Sequence, residues 1–264
     1  MKIKQSVVLV TGANGGLGKA LVAELLRRGV AKVYVGRRNE AALIEVLAKG
    51  DSRVVPVVLD VTDQAQVNAV AERAQDVTLV INNAGYNAMT GTLTADVVAG
   101  ARQEMEVNYI GPLRVARAFA PAIAKAGGGT IVNVLSFLSL VTLPLMATYS
   151  ASKAAALAMT RSLRAELGSQ NINVLAAMPV QIDTAMGAWF IGEKIAPEEA
   201  AIGILDAVEA GEVEAFPGRL SQDMASAFKA DPEALQAQLA QHLPAPGRSE
   251  AMSTEALQEN SPGA

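Results

Sequence analysis

The sequence predicts a doubly wound α/β fold, a parallel sheet of about seven strands with helices on both faces. Three observations carry this. Short apolar runs of strand length alternate with longer stretches whose apolar residues recur at helical spacing. The connections are long enough for right-handed crossover helices, so successive strands run parallel. Hydrophobic residues make up 51% of the 264 but aromatics only 4%, enough aliphatic surface to cover a sheet on both faces.

The elements follow in order. Val7-Val8-Leu9-Val10 is an unbroken apolar run, as in a strand buried on both faces, and Thr11-Gly12 ends it. Residues 17–28 have helical spacing and stop at Gly29, a suitable C-cap. Val33-Tyr34-Val35 is the second strand, and residues 40–48 are the second helix. The third strand spans 54–59. Its Pro56 confines it to an edge or a strand start, because proline cannot donate to an interior ladder. A helix at 64–74 and a strand at 77–81 follow, closed by Asn82-Asn83-Ala84-Gly85. Residues 98–124 read as one long helical segment containing Gly111-Pro112. Then come a strand at 130–135, an alanine-rich helix at 149–167, a strand at 172–177, a helix at 197–210 and a seventh strand at 212–216. An amphipathic stretch at 231–241 has no evident place in the sheet and is expected to pack on a neighbouring subunit.

One domain over residues 1–243 is expected, with a disordered tail rich in Pro, Gly and Ser over 244–264. Lysine and arginine number 22 against 26 acidic residues, a net charge of −4, so no nucleic-acid surface is expected. The absence of cysteine removes disulfides, thiolate metal sites and cysteine nucleophiles. No His, Asp and Glu cluster suggests a metal site. No run approaches the roughly 18 apolar residues of a membrane helix. The four apolar residues after Ser6 are too few for a signal peptide, so a cytoplasmic protein without membrane contact is expected.

Between the first strand and first helix lies Thr11-Gly12-Ala13-Asn14-Gly15-Gly16-Leu17-Gly18. Gly12 permits a tight turn, Gly16 removes a side chain where backbone would approach a pyrophosphate, and Gly18 lets helix and strand pack closely. The helix N-terminus offers N–H groups and positive dipole to an anion, as in Rossmann-type dinucleotide sites. A glycine-rich loop alone could be a flexible turn; its place after a buried first strand favours the dinucleotide. The second strand ends in Val35-Gly36-Arg37-Arg38-Asn39, with no carboxylate for a ribose. Arg37 and Arg38 suit the 2′-phosphate of NADP(H). Glu40 keeps NAD(H) open as the second choice, and a solvated arginine pair is the alternative.

Tyr149 and Lys153 stand at i and i+4, on one helix face. A nearby ammonium favours phenolate and is expected to lower the phenol's pKa, suiting it to proton exchange with a carbonyl or alcohol oxygen. Such a pair is also common on surface helices. Four motifs in order resolve this: the 11–18 loop, Asn82-Asn83-Ala84-Gly85, Asn108 with Gly111, and Ser136 with Tyr149 and Lys153. Over roughly residues 5–215 the chain resembles the short-chain dehydrogenase/reductase family. The resemblance implies an NADP-dependent oxidoreductase of the carbonyl reductase or alcohol dehydrogenase type. Tyr149 would be the general acid in reduction and the base in oxidation. Lys153 would bind the nicotinamide ribose and lower the Tyr149 pKa. Ser136 would hold the substrate oxygen, with Ser139 as the alternative. Asn108 would hold a water linking Lys153 to solvent. Gly12, Asn14, Gly15, Gly16, Leu17 and Gly18 would cradle the cofactor, and Asn83, Ala84 and Gly85 would line it. Asp60 and Val61 would flank the adenine, with a turn or helix-capping aspartate as the other reading of Asp60. Pro179, Ile182 and Thr184 would contact the nicotinamide half.

The chain departs from the family pattern in two places. Val180 stands where a glycine is usual, adding bulk beside the nicotinamide, and Gly15 stands where many NADP-dependent members have Arg or Lys. On the substrate side, Leu138, Leu143 and Met146 would form an apolar wall beside Ser136. Met186, Trp189 and Phe190 would form a short mobile lid, unless the aromatics pack into the core or a subunit contact. A hydrophobic ketone or aldehyde substrate is expected. His242, the sole histidine, is a weak catalytic candidate. The resemblance also implies a homodimer or homotetramer through the long helices. A regulatory protein sensing NADP(H) without turnover is the rival reading; it would be expected to lack Tyr149 or Lys153, and both are present.

Overall fold

The computed structural model describes residues 1–38, 50–95 and 97–244. The helix expected at 40–48, Asn39 and Glu40 at the end of the second strand, and all of the expected tail beyond Pro244 lie outside the described residues.

Seven parallel strands form one sheet in the order β3-β2-β1-β4-β5-β6-β7. They are β1 (Val7–Val10), β2 (Lys32–Arg37), β3 (Val54–Val58), β4 (Leu79–Asn82), β5 (Gly129–Val134), β6 (Ile172–Ala177) and β7 (Glu214–Ala215). The period-2 alternation of a strand sends side chains to opposite faces. Val8 and Val10 therefore join one buried cluster and Leu9 the other, and all three are fully enclosed. Pro56 is accommodated because β3 is an edge strand.

One face carries α1 (Gly16–Arg27) and α6 (Pro197–Ala210). The other carries α2 (Gln64–Arg73), α4 (Gly111–Lys125) and α5 (Ala147–Leu167). Strand order reverses beside β1, which pairs with both β2 and β4. At such a switch point the loops leaving the carboxyl ends of the strands diverge and open a crevice.

The helix expected over 98–124 is interrupted. Helix α3 (Val97–Met105) gives way to a π turn at Glu106–Ile110 before α4 begins. Pro112 lacks the N–H that an α-helix would aim at the Asn108 carbonyl, so the regular ladder fails at that point.

The stretch at 231–241 also corrects its expectation, because it packs on its own chain. Helix α7 (Arg219–Ala230), which the sequence did not announce, leads into α8 (Pro232–Leu239). Leu235 of α8 is buried with Phe137 and Val141. Gln236 accepts from Thr142 N (2.8 Å) and donates to Thr142 O (3.0 Å). Phe228 of α7 meets Phe137 edge-on at 6.1 Å. The two helices thus brace the segment that follows Ser136. Among the described residues no helix is long and apolar enough to cross a membrane.

Candidate active site

The 11–18 loop sits at the switch point. Gly12 has φ +60°, and a Cβ there would lie 2.8 Å from Ala84 Cα. At Gly16 a Cβ would lie 2.6 Å from Thr184 Cγ2, and at Gly18 it would lie 2.7 Å from Ala13 Cα. Gly15 differs, since among the described residues its Cβ would meet only Gly12 O, at 3.7 Å. It precedes α1 as the N-cap and offers no side-chain bond to the helix N-terminus. Asn14, Gly15 and Gly16 are exposed at the crevice rim, while Leu17 and Gly18 are buried.

The loop is clamped to the end of β4. Thr11 Oγ1 accepts from both Asn83 N and Ala84 N at 3.0 Å. Asn83 Nδ2 donates to Thr11 O and Gly12 O, each at 3.0 Å. The Asn83 amide therefore holds the loop in place, a partnership that no local spacing announces. At the end of β2, Arg37 is buried and Arg38 exposed, so a uniformly solvated pair is not what forms. Asp60 Oδ1 accepts from Thr62 N (2.8 Å) and Oγ1 (2.7 Å), the turn role. The capping of α2 falls to Asp63, which accepts from Ala65 N and Gln66 N. The Val61 side chain is buried in the core, where a Cβ on Gly111 would touch it at 2.7 Å.

Ser136 lies just past the end of β5 and caps a short turn over Phe137–Ser139. Its hydroxyl hydrogen-bonds the Tyr149 phenol, which favours the ionised phenol. Ser139 is buried, with no hydrogen bond to its hydroxyl among the described residues. Lys153 lies one turn along α5 from Tyr149, nearly buried. Its Nζ donates to Val134 O at 3.0 Å and stands 5.6 Å from the Tyr149 ring centroid.

The electrostatics correct one expectation. Burial pushes the Tyr149 phenol above its ordinary value, the Ser136 hydrogen bond only partly opposes this, and the Glu104 charge adds to it. Burial also lowers Lys153 from 10.5 to about 8. Loss of water is the leading cause for both groups, with Lys153 buried and Tyr149 half-buried.

Asn108 sits in the π turn. Its Oδ1 accepts from Tyr86 N (2.9 Å), and its Nδ2 donates to Tyr86 O (2.8 Å) and Ser152 Oγ (2.9 Å). The side chain thus fixes the loop after Gly85, and the atom relieved of its α-helical donor is the Asn108 carbonyl. A Cβ on Gly85 would lie 3.6 Å from Asn108 Oδ1 and 3.9 Å from Lys153 Nζ, so the Asn-Ala-Gly turn borders the same spot.

On the far side, Val180 donates its N–H to the buried Ser221 Oγ at 3.0 Å. Its side chain packs with Leu138 in the cluster of Phe137 and Leu235, so part of its bulk is taken up by the core. Leu143 and Met146 are buried. Pro179 O accepts from Phe137 N at 2.8 Å, tying the segment after β6 to the Ser136 turn. The segment that follows is pinched at its base. Ile182 pairs with Ile195, and Ile195 N donates to Gln181 O at 2.9 Å. Between these ends Trp189 and Phe190 meet edge-on at 5.6 Å, Met186 is 47% exposed, and neither aromatic belongs to a core cluster. His242 is exposed at the end of the described chain. Among the described residues no cluster of three or more His, Asp or Glu is placed to hold a metal.

Comparison with known proteins agrees with this arrangement. Residues 6–192 match the short chain dehydrogenase family. A short-chain dehydrogenase of Penicillium crustosum is 38% identical over 189 residues, 69% of this chain and 68% of that protein. A 1-deoxy-11-beta-hydroxypentalenate dehydrogenase of Streptomyces avermitilis is 33% identical over 218 residues, 80% of this chain and 81% of that one. Among solved structures, a short chain dehydrogenase from Burkholderia cenocepacia in complex with NADP is 47% identical, with a TM-score of 0.85 over 90% of this chain and 99% of that one. The chain belongs to the short-chain dehydrogenase family and is an oxidoreductase of that family.

Proposed function

We propose that this protein moves a hydride reversibly between NADP(H) and a carbonyl/alcohol pair, as a carbonyl reductase or alcohol dehydrogenase of hydrophobic ketones or aldehydes. The observation that carries the reading is the meeting of Ser136, Tyr149 and Lys153 beside the 11–18 loop at the switch point of the sheet. The residues fit the cofactor: α1 begins without a side-chain cap, and glycines stand where a Cβ would strike Ala84 or Thr184. The NADP held by the Burkholderia relative supports the choice of nicotinamide.

The N–H groups of Asn14, Gly16 and Leu17 hold the pyrophosphate, that of Gly15 being donated to Gly12 O at 3.3 Å. Arg37 and Arg38 hold the 2′-phosphate, and Asp60 and Val61 border the adenine. Ala84, Gly85, Pro179, Ile182 and Thr184 border the nicotinamide half. When bound, NADP(H) supplies or accepts the hydride. In reduction Ser136 and Tyr149 donate hydrogen bonds to the substrate carbonyl oxygen. Its raised proton affinity keeps Tyr149 a phenol at neutral pH, so it begins as the proton donor. Lys153, at about 8, is mostly protonated there and can return a proton. The freed Asn108 carbonyl is the seat for a water joining Lys153 to solvent.

Leu138, Leu143 and Met146 form an apolar wall, and the 182–195 loop with Trp189 covers it to exclude water. Residues 1–243 act as one catalytic domain in the cytoplasm, as a homodimer or homotetramer through α4 and α5. Tyr149→Phe tests the reading. It should lower kcat by about 10²–10⁴-fold and leave NADPH affinity nearly unchanged. Normal turnover in that variant overturns the assignment, and faster reduction of small keto acids than of aryl or alkyl ketones overturns the apolar pocket.

A further inference from the structure

Asn87 lies two residues beyond Gly85, where the chain leaves the neighbourhood of Lys153 Nζ for the head of α5. The loop around it is anchored at alternate residues. Tyr86 is bonded through both N and O to the Asn108 amide, Ala88 N donates to Glu104 Oε1 at 2.8 Å, and Thr90 O accepts from Ala147 N at 3.1 Å. Backbone at 86, 88 and 90 is thereby tied to the π turn, α3 and α5. Between these ties the half-buried Asn87 side chain reaches Met146, three residues before Tyr149.

The amide has one orientation. Its Oδ1 accepts from Met89 N at 2.9 Å, and a backbone N–H only donates, so the oxygen is fixed there. Nδ2 then faces two thioethers, Met146 Sδ at 2.8 Å and Met89 Sδ at 3.2 Å. Sulfur is a weak acceptor, and among the described residues no oxygen takes a hydrogen from this amide. Met89 holds φ +55°, a left-handed backbone uncommon for a residue with a side chain, and strain of this kind gathers at functional sites. Met146 and Leu143 are buried beside the Ser136 turn. A strong donor thus stands against an apolar wall with its hydrogens on weak acceptors, and unbranched, flexible methionine side chains yield readily to another occupant.

We propose that Asn87 is a specificity-determining residue: its amide hydrogen-bonds a second oxygen of the substrate, so the substrate is a hydrophobic ketone or aldehyde bearing an acceptor oxygen near the reacting carbonyl. This rests on the carbonyl-reductase reading and on Met146 lining the substrate side. On binding, the substrate oxygen displaces a thioether, exchanging a weak acceptor for a strong one, while Oδ1 keeps the loop in place through Met89 N. A hydrocarbon analogue leaves the amide on its sulfurs and strands nothing. The preference is therefore modest, about three- to tenfold, and not the roughly 10⁴-fold of a site whose polar group is unpaired without its ligand.

Matched pairs test this: methyl ketones of equal length with and without an ester carbonyl, placed at increasing distance from the ketone, assayed with NADPH on the full chain. At least one keto ester should exceed its plain ketone in kcat/KM by about three- to tenfold, chiefly through KM. Asn87→Asp keeps the acceptor for Met89 N and removes the donors, whereas Asn87→Leu removes both. Both variants should bring the ratio to one or below. The same ratio is read as dissociation constants by calorimetry on the NADP+ complex, where a ketone finds no hydride. A parent ratio of one throughout the series overturns the proposal, and so does a ratio that survives in both variants. Failure of both variants to fold also overturns it, by making Asn87 part of the scaffold. Absence of any ketone reduction by the parent would instead refute the carbonyl-reductase reading, and the calorimetric ratio would still decide the role of Asn87.

Discussion

Gly12 and Gly15 are three residues apart in one loop, and the structure makes opposite demands on them. Gly12 holds φ +60°, a conformation that costs a residue with a side chain about 1–2 kcal/mol. A methyl there would also meet Ala84 Cα at 2.8 Å and Ala84 N at 3.0 Å. Ala84 cannot readily withdraw, since its N–H and that of Asn83 are both held by Thr11 Oγ1. Overpacking of this kind adds about 1–3 kcal/mol. Gly12→Ala should therefore lose about 2–5 kcal/mol in all. With a urea slope of roughly 2 kcal/mol per M, the unfolding midpoint falls by about 1–2.5 M. Gly15 has φ −72° and an ordinary contact distance of 3.7 Å, so Gly15→Ala should change stability by no more than about 1 kcal/mol, the poorer N-cap offsetting the gain through the unfolded chain. Equilibrium urea unfolding of the two variants beside the parent decides. A Gly12→Ala midpoint within error of the parent, or equal losses in the two variants, would refute the geometric argument.

Two further outcomes follow from the enclosure of the site and its bracing. The buried Lys153 ammonium titrates lower in the folded chain, about 8 against 10.5, so the unfolded chain holds the extra proton between these values. Stability from this group therefore rises with pH across that window, by at most about 3 kcal/mol, and Lys153→Met should abolish the rise. Unfolding free energies of parent and variant at the two ends of the window check this, and parallel pH dependence would contradict it. Leu235→Ala opens a cavity against Phe137 and Val141 and should cost about 2 kcal/mol, near the low end for leucine because α8 lies at the surface. It should also raise the substrate KM more than the NADPH KM, since α8 braces the Ser136 segment. Equal effects on the two would detach α8 from the substrate side.

Much of the fold was legible because it is written in local periods. The apolar runs at 7–10 and 172–177 mark strands β1 and β6, both with their bounds unchanged, and helix α6 begins at Pro197 and ends before Gly211 as its cap residues require. The break at Glu106–Ile110 was hidden because the apolar spacing runs through it, although Pro112 carried the signal. Helix α7 was missed because its only buried residue is Ser221. Glu104 gave no sign at all, since a glutamate on a helix reads as a solvated residue until the fold closes over it.

The sequence by itself determined what depends on neighbours in the chain: the strand and helix order, the glycine loop at 11–18, and the helical spacing that puts Tyr149 and Lys153 on one face. Only the tertiary structure decided which groups those residues meet. It turned Asn83 onto the loop carbonyls, directed Lys153 to Val134 O, and set the Asn87 amide on the sulfurs of Met89 and Met146. It also reversed the expected effect on the phenol. Proton affinity in a buried site is governed by the water removed and the charges enclosed from every side, and those come from segments far apart in sequence.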